Sequence, residues 1–111
     1  MIFNKEGSTT IITQEKTTIV KFVKGIEDKY ETLKNDNIII NLFSLKKISA
    51  DDINEFLRIS NTHKASRRSF VIVTDKVSYD DVPEEISIVP TLQEAYDLVE
   101  MEEIERDLDF E

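Results

Sequence analysis

Apolar residues along this chain alternate between two spacings, and the changes mark its elements. Met1-Ile2-Phe3 and Thr9-Thr10-Ile11-Ile12-Thr13 are short, rich in β-branched side chains and separated by Gly7-Ser8, which predicts two strands joined by a hairpin turn. From Thr17 the period changes. Ile19, Val23, Ile26, Tyr30 and Leu33 recur every three or four residues with Lys and Glu between them, so an amphipathic helix is expected to about Asn35. Gly25 within it, at roughly 1 kcal/mol relative to Ala, is read as a point of close packing on the sheet. Ile38 to Phe43 is nearly continuous apolar sequence, the signature of a central strand covered on both faces. Ser49 then opens a second helix with Ile53, Phe56 and Leu57 inward, and His63-Lys64-Ala65-Ser66-Arg67-Arg68 forms its basic exit. Phe70-Val71-Ile72-Val73 is another buried strand. Asp75 to Glu85 is polar and holds Pro83, which predicts a loop with room for one helical turn. Ile86-Ser87-Ile88-Val89 is a last short strand that stops at Pro90. Thr91-Leu92-Gln93-Glu94 is a capping box opening a helix that carries Leu92, Ala95, Tyr96, Leu98, Val99, Ile104 and Leu108.

Strands alternating with helices after an opening hairpin define the fold class as α/β. The expectation is a small mixed β-sheet of four to five strands, a hairpin followed by parallel strands, covered by three to four helices. Right-handed crossovers place Ile38–Phe43 and Phe70–Val73 side by side and parallel. At 111 residues and 40% hydrophobic content, the chain reads as one domain over 1–111 with a single core and a radius of gyration near 13 Å. No repeat or linker is visible. The one biased segment is the acidic stretch at about 100–111.

Charge narrows the partners. Asp and Glu number 23 against 14 Lys and Arg, a net charge of −9. That balance opposes binding to nucleic acid or anionic lipid, since such affinity comes largely from Lys and Arg neutralising phosphates. It favours a basic protein partner, or simple solubility. No apolar run approaches the ~20 residues of a membrane span, and no secretion signal opens the sequence. The chain has no cysteine, so disulfide and thiolate chemistry are excluded. A cytoplasmic location is the expectation.

The most informative stretch runs from Asn37 to Ile53: a buried strand, a bend and the capped start of a helix. In a small α/β protein such a junction lies at the carboxyl edge of the sheet, where binding usually sits. Acid occupies it here, with no nucleophile, metal cage or glycine-rich phosphate loop. Ser49 is read as an N-cap with Asp52 at N3, worth about 1 kcal/mol, and also as the candidate phosphoacceptor. Asp51 and Asp52 complement the helix start and lack a spaced set of further metal ligands. His63, the only histidine, is read as a helix C-terminal residue favourable to positive charge. Lys64, Arg67 and Arg68 complement the same helix end, or meet an acidic partner. The expected docking residues are Ser44, Lys46, Lys47, Ser49, Ala50, Asp51, Asp52 and Glu55, with no catalytic residue, no metal and no cofactor. Near the end, seven acids fall in twelve residues against Arg106 alone, with Met101, Ile104, Leu108 and Phe110 threaded among them. Such a tail either frays or orders as an acidic amphipathic segment in a basic groove, with Glu103, Ile104 and Leu108 as a secondary partner segment.

Ile40-Asn41-Leu42, leading through Ile48 to Ser49-Ala50-Asp51-Asp52-Ile53, then Ser69-Phe70-Val71-Ile72-Val73 and Val89-Pro90-Thr91-Leu92-Gln93-Glu94-Ala95, together resemble the STAS domain, the fold of bacterial anti-sigma factor antagonists. The resemblance covers roughly residues 9–100 and rests on the order and spacing of these segments. It implies a non-enzymatic regulator, monomeric or weakly homodimeric, that docks an anti-sigma-factor-like kinase or another regulatory protein. Family members carry Asp-Leu-Ser before the bend and Asp-Ser-Ser-Gly after it, and a serine there is phosphorylated by the partner kinase. By this alignment Asn41 and Ser49 stand at the two aspartates, Ala50 and Asp51 at the two serines, and Asp52 at the glycine. Asp51 therefore occupies the phosphoserine position, which implies a module held in a charged state without the phosphoserine switch. Two further readings stand beside it. The acidic ending is similar to that of short bacterial proteins found beside ribonuclease Z, which implies an accessory to that nuclease; a metallo-β-lactamase nuclease itself needs several His and Asp for two zinc ions, and one His does not supply them. The other is a relative binding a small ligand or nucleotide, as some STAS domains do.

Overall fold

The structure, a computed structural model, describes residues 1–14 and 18–109. Five strands form one sheet in sequential order: β1 (Ile2–Glu6), β2 (Thr9–Thr13), β3 (Asn37–Asn41), β4 (Phe70–Val73) and β5 (Ser87–Val89). β1 and β2 are antiparallel, and every later pair is parallel, with Ile38 opposite Phe70 and Ile40 opposite Ile72. Glu6 pairs with Thr9, so the hairpin loop is the two residues Gly7-Ser8. Gly7 has φ +60°, the left-handed value that a two-residue hairpin turn demands at its first position and glycine adopts without strain.

The parallel strands are apolar because both faces are covered. Ile12, Ile38, Ile40, Phe70 and Ile72 point into a larger core roofed by α1 (Ile19–Asp28), α3 (Ala50–Asn54) and α4 (Leu57–Ala65). The alternate residues Ile11, Ile39, Val71 and Val73 point into a smaller core closed by Ala95 and Val99 of α5 (Leu92–Asp109). The radius of gyration is 13.2 Å, as the chain length predicts.

Four expectations need correction in detail. The first helix breaks at Lys29 into α1 and a single turn, α2 (Tyr30–Leu33). The apolar positions keep their phase across that break, so periodicity gives no sign of it. The second helix also divides, because the N–H groups of Glu55 and Phe56 donate to carbonyls only three residues back. That tighter turn stacks Ile53 and Phe56, both fully buried, on one face, and Phe56 meets Phe22 edge-on at 6.1 Å. The central strand ends at Asn41; Leu42 is buried beyond it, and Phe43 is exposed. Gly25 packs against Met1 rather than the sheet: a Cβ there would lie 2.9 Å from the Met1 methyl. The expected loop over Asp75–Glu85 contains one 3₁₀ turn, Tyr79–Asp81. The expected onset of the first helix at Thr17, and Phe110 and Glu111 of the acidic tail, lie outside the described residues.

Candidate docking edge

The junction after β3 is built by three apolar anchors. Leu42 and Ile48 are buried, Leu45 packs against the larger core, and the residues between them face solvent. The bend is fixed locally. The Asn41 side-chain carbonyl accepts from the Phe43 N–H at 3.1 Å, and the Leu45 N–H donates to the Leu42 carbonyl at 3.0 Å. Phe43, Ser44, Lys46 and Lys47 are thereby held outward on a loop tied at both ends.

Ser49 caps α3 as the sequence predicts. The Asp52 N–H donates to Ser49 Oγ at 3.2 Å, and the Ser49 N–H donates to Asp52 Oδ2 at 3.0 Å, a reciprocal capping box. That pairing divides the two acids. Asp52 is half-buried and engaged in the cap, whereas Asp51 is exposed. Ala50 is half-buried in the same turn. Glu55 lies apart from this cluster, on the rim of a groove of about 890 Å³ between α1 and α3–α4 that also takes in Val20 and Arg58. The structure thus brings Ser44, Lys46, Lys47, Ser49, Asp51 and Asp52 to one edge and sets Glu55 beside a neighbouring groove.

Sequence reasoning missed one contributor. β3 and β4 are adjacent and parallel, so the segments that follow them leave the sheet at the same edge. The segment after β4 carries Tyr79, 73% exposed, and the one after β3 carries Phe43, 55% exposed. Both rings therefore stand in solvent on segments that leave the sheet at this edge. The available signal was an aromatic residue alone in a polar loop after a buried strand.

His63 lies in the last turn of α4, as the sequence predicts, but the positive charge expected there is opposed by its surroundings, because it is fully buried at the opposite, amino edge of the sheet. Its Nε2–H donates to the Asp36 carbonyl and its Nδ1 accepts from the Tyr30 hydroxyl, each at 2.7 Å, the one tautomer those partners allow. Burial lowers its pKa below the usual histidine value. Asp36 further accepts from Thr10 Oγ1 at 2.9 Å and pairs with Lys5 at 3.3 Å. The basic exit of α4 is similarly occupied. Lys64 donates to the Glu85 carbonyl and to Ser87 Oγ, and Arg68 Nε donates to the Asn35 carbonyl at 3.0 Å. Among the described residues, no group of three or more His, Asp or Glu is placed to hold a metal ion. No described helix is long and apolar enough to cross a membrane.

In three dimensions the chain is similar to a Moorella thermoacetica RsbS variant in which a serine is replaced by glutamate. The TM-score is 0.68 at 13% identity, over 89% of this chain and 93% of that one. It is also similar to the NMR structure of the protein TM1081, with a TM-score of 0.66 at 18% identity over 88% and 86%. The fold is STAS-like: a mixed five-stranded sheet, β1–β2 antiparallel and the remainder parallel, with helices on both faces. No family model matches the chain, and no curated protein matches its sequence.

Proposed function

We propose that this protein is a non-enzymatic, cytoplasmic regulatory module, similar in role to an anti-sigma factor antagonist, that docks a protein partner through the carboxyl edge of its sheet. The observation that carries the reading is the exposure of Phe43 and Tyr79 at the edge that also presents Asp51, Lys46 and Lys47. Exposed aromatics ringed by charge are the usual anchors of a protein interface. The chemistry nearby is inert: Ser49 and Asp52 are engaged in holding a helix start.

Asp51 takes the part that the family gives to a phosphoserine. A phosphoserine carries about −1.5 to −2 charge near neutral pH, and an aspartate supplies a permanent −1 at the same turn. Asn41 and Ser49, where the family's aspartates would stand, serve the bend and the cap. Docking is therefore constitutive, or is governed by something other than phosphorylation at that position. Ser49 as a phosphoacceptor is the less favoured variant, because a phosphate there would replace the cap and face two carboxylates.

Affinity capture from native lysate tests this reading. A protein retained by wild type should fall at least about tenfold with Asp51→Lys and with Phe43→Ala, whose circular dichroism should match wild type. Capture that is unchanged by both variants would remove this edge from consideration.

A further inference from the structure

α5 carries a second surface. Its inward face is fixed by contacts at both ends. Ala95 and Val99 are buried in the smaller core, and Arg106 reaches back to the amino edge, donating to Ser69 Oγ at 3.1 Å and Asn37 Oδ1 at 3.2 Å. Glu103 also turns inward and accepts from the Ser8 hydroxyl at 3.4 Å. With the rotation of the helix set this way, Met101, Ile104 and Leu108 stand 51%, 55% and 65% exposed. Spacings of three and four residues put them on one stripe, and at 3.6 residues per turn that stripe lies opposite Val99 and Arg106. Asp97, Glu100, Glu105 and Asp107 are exposed around it. Arg106 is the only basic residue between Leu92 and Leu108, and it points the other way.

We infer that the outer face of α5 is a docking ridge for a basic amphipathic helix of a partner protein, separate from the carboxyl-edge surface. Charge complementarity selects that occupant. The stripe supplies three apolar anchors at helix-packing spacing, and the carboxylates around it reward Lys or Arg on the flanks of the incoming helix. A second copy of this chain is disfavoured by the same groups. Stripe against stripe would set carboxylates against carboxylates in molecules that each carry −9. The ridge is already helical through Asp109, so docking needs no folding step of the segment.

The test is an NMR titration of the labelled full chain with a synthetic 18-residue Leu/Lys peptide whose leucines form one helical stripe, against a scrambled peptide of identical composition. Chemical-shift changes should centre on residues 97–108, and the scrambled peptide should bind at least about tenfold more weakly. The double variant Ile104→Ser, Leu108→Ser keeps every charge and should also lose about tenfold in affinity. Asp51→Lys should stay within about threefold of wild type, which separates this ridge from the carboxyl-edge surface. Equal binding of both peptides, undiminished binding by the double variant, or shifts centred on 43–52 would overturn the proposal. So would concentration-dependent self-association of the peptide-free protein that the double variant abolishes, since a second copy would then be the occupant.

Discussion

The two edges of the sheet treat their polar groups in opposite ways. At the amino edge, Asn37, Ser69 and His63 are buried, and each is bonded inside the molecule. The Asn37 side-chain oxygen Oδ1 alone accepts from the Ser69 N–H at 2.9 Å and from Arg106 at 3.2 Å, joining β3, the start of β4 and α5. At the carboxyl edge, Ser44, Lys46, Lys47 and Asp51 face water beside Phe43 and Tyr79. One edge holds the fold together. The other is held by the fold and left available. Buried polar groups with complete partners define structure, whereas exposed aromatic and charged groups on a rigid frame define a surface for something else.

The contrast predicts a graded series of effects. Asn37→Ala should be the most damaging, at about 3 kcal/mol in urea unfolding, because it strands a buried N–H and part of a guanidinium. A cost under 1 kcal/mol would mean the amino edge is not the clasp described. Acid should weaken the same edge to a smaller extent. The folded-state pKa of His63 is lowered by burial, so the unfolded chain takes up the proton first. The stability it contributes is complete above the ordinary histidine value of about 6.5 and is lost as pH falls through its lowered folded value. Unfolding free energies at pH 7.5 and 5.5 should therefore differ, and His63→Asn should flatten that difference. Ser49→Ala should cost about 1 kcal/mol through loss of the α3 cap. Phe43→Ala, Tyr79→Ala and Asp51→Lys should each move stability by no more than about 0.5 kcal/mol while carrying the loss of partner capture. A large stability change at any of these three would erase the distinction between the two edges.

Much of this architecture was legible in the sequence, and particular residues show where legibility stopped. Ile38–Ile40 and Phe70–Val73 announced themselves because both faces of a central parallel strand must be apolar. Ser49 and Asp52 spelled out their reciprocal cap three residues apart. Interruptions at Lys29 and Glu55 stayed hidden, since a tightened turn leaves the apolar phase nearly intact. His63 was legible as a last-turn residue but not as a buried one, because a histidine near a helix end has two physical outlets, charge in water or hydrogen bonds in the core. The choice depended on Tyr30 and Asp36, distant in sequence. Arg106 and Tyr79 were overlooked for the same reason. Their meaning lies in which sheet edge they reach, and only the strand order supplies that.

β1 gives a last consequence. All five of its residues are exposed, and it forms one flank of the sheet, so a row of its backbone groups faces away from every other described strand. Ile2 and Phe3 make that flank sticky, while Lys5, paired with Asp36, and Glu6 keep it charged. Stripping those two charges would invite strand-to-strand stacking into fibres along β1, leaving the carboxyl edge and α5 as bystanders.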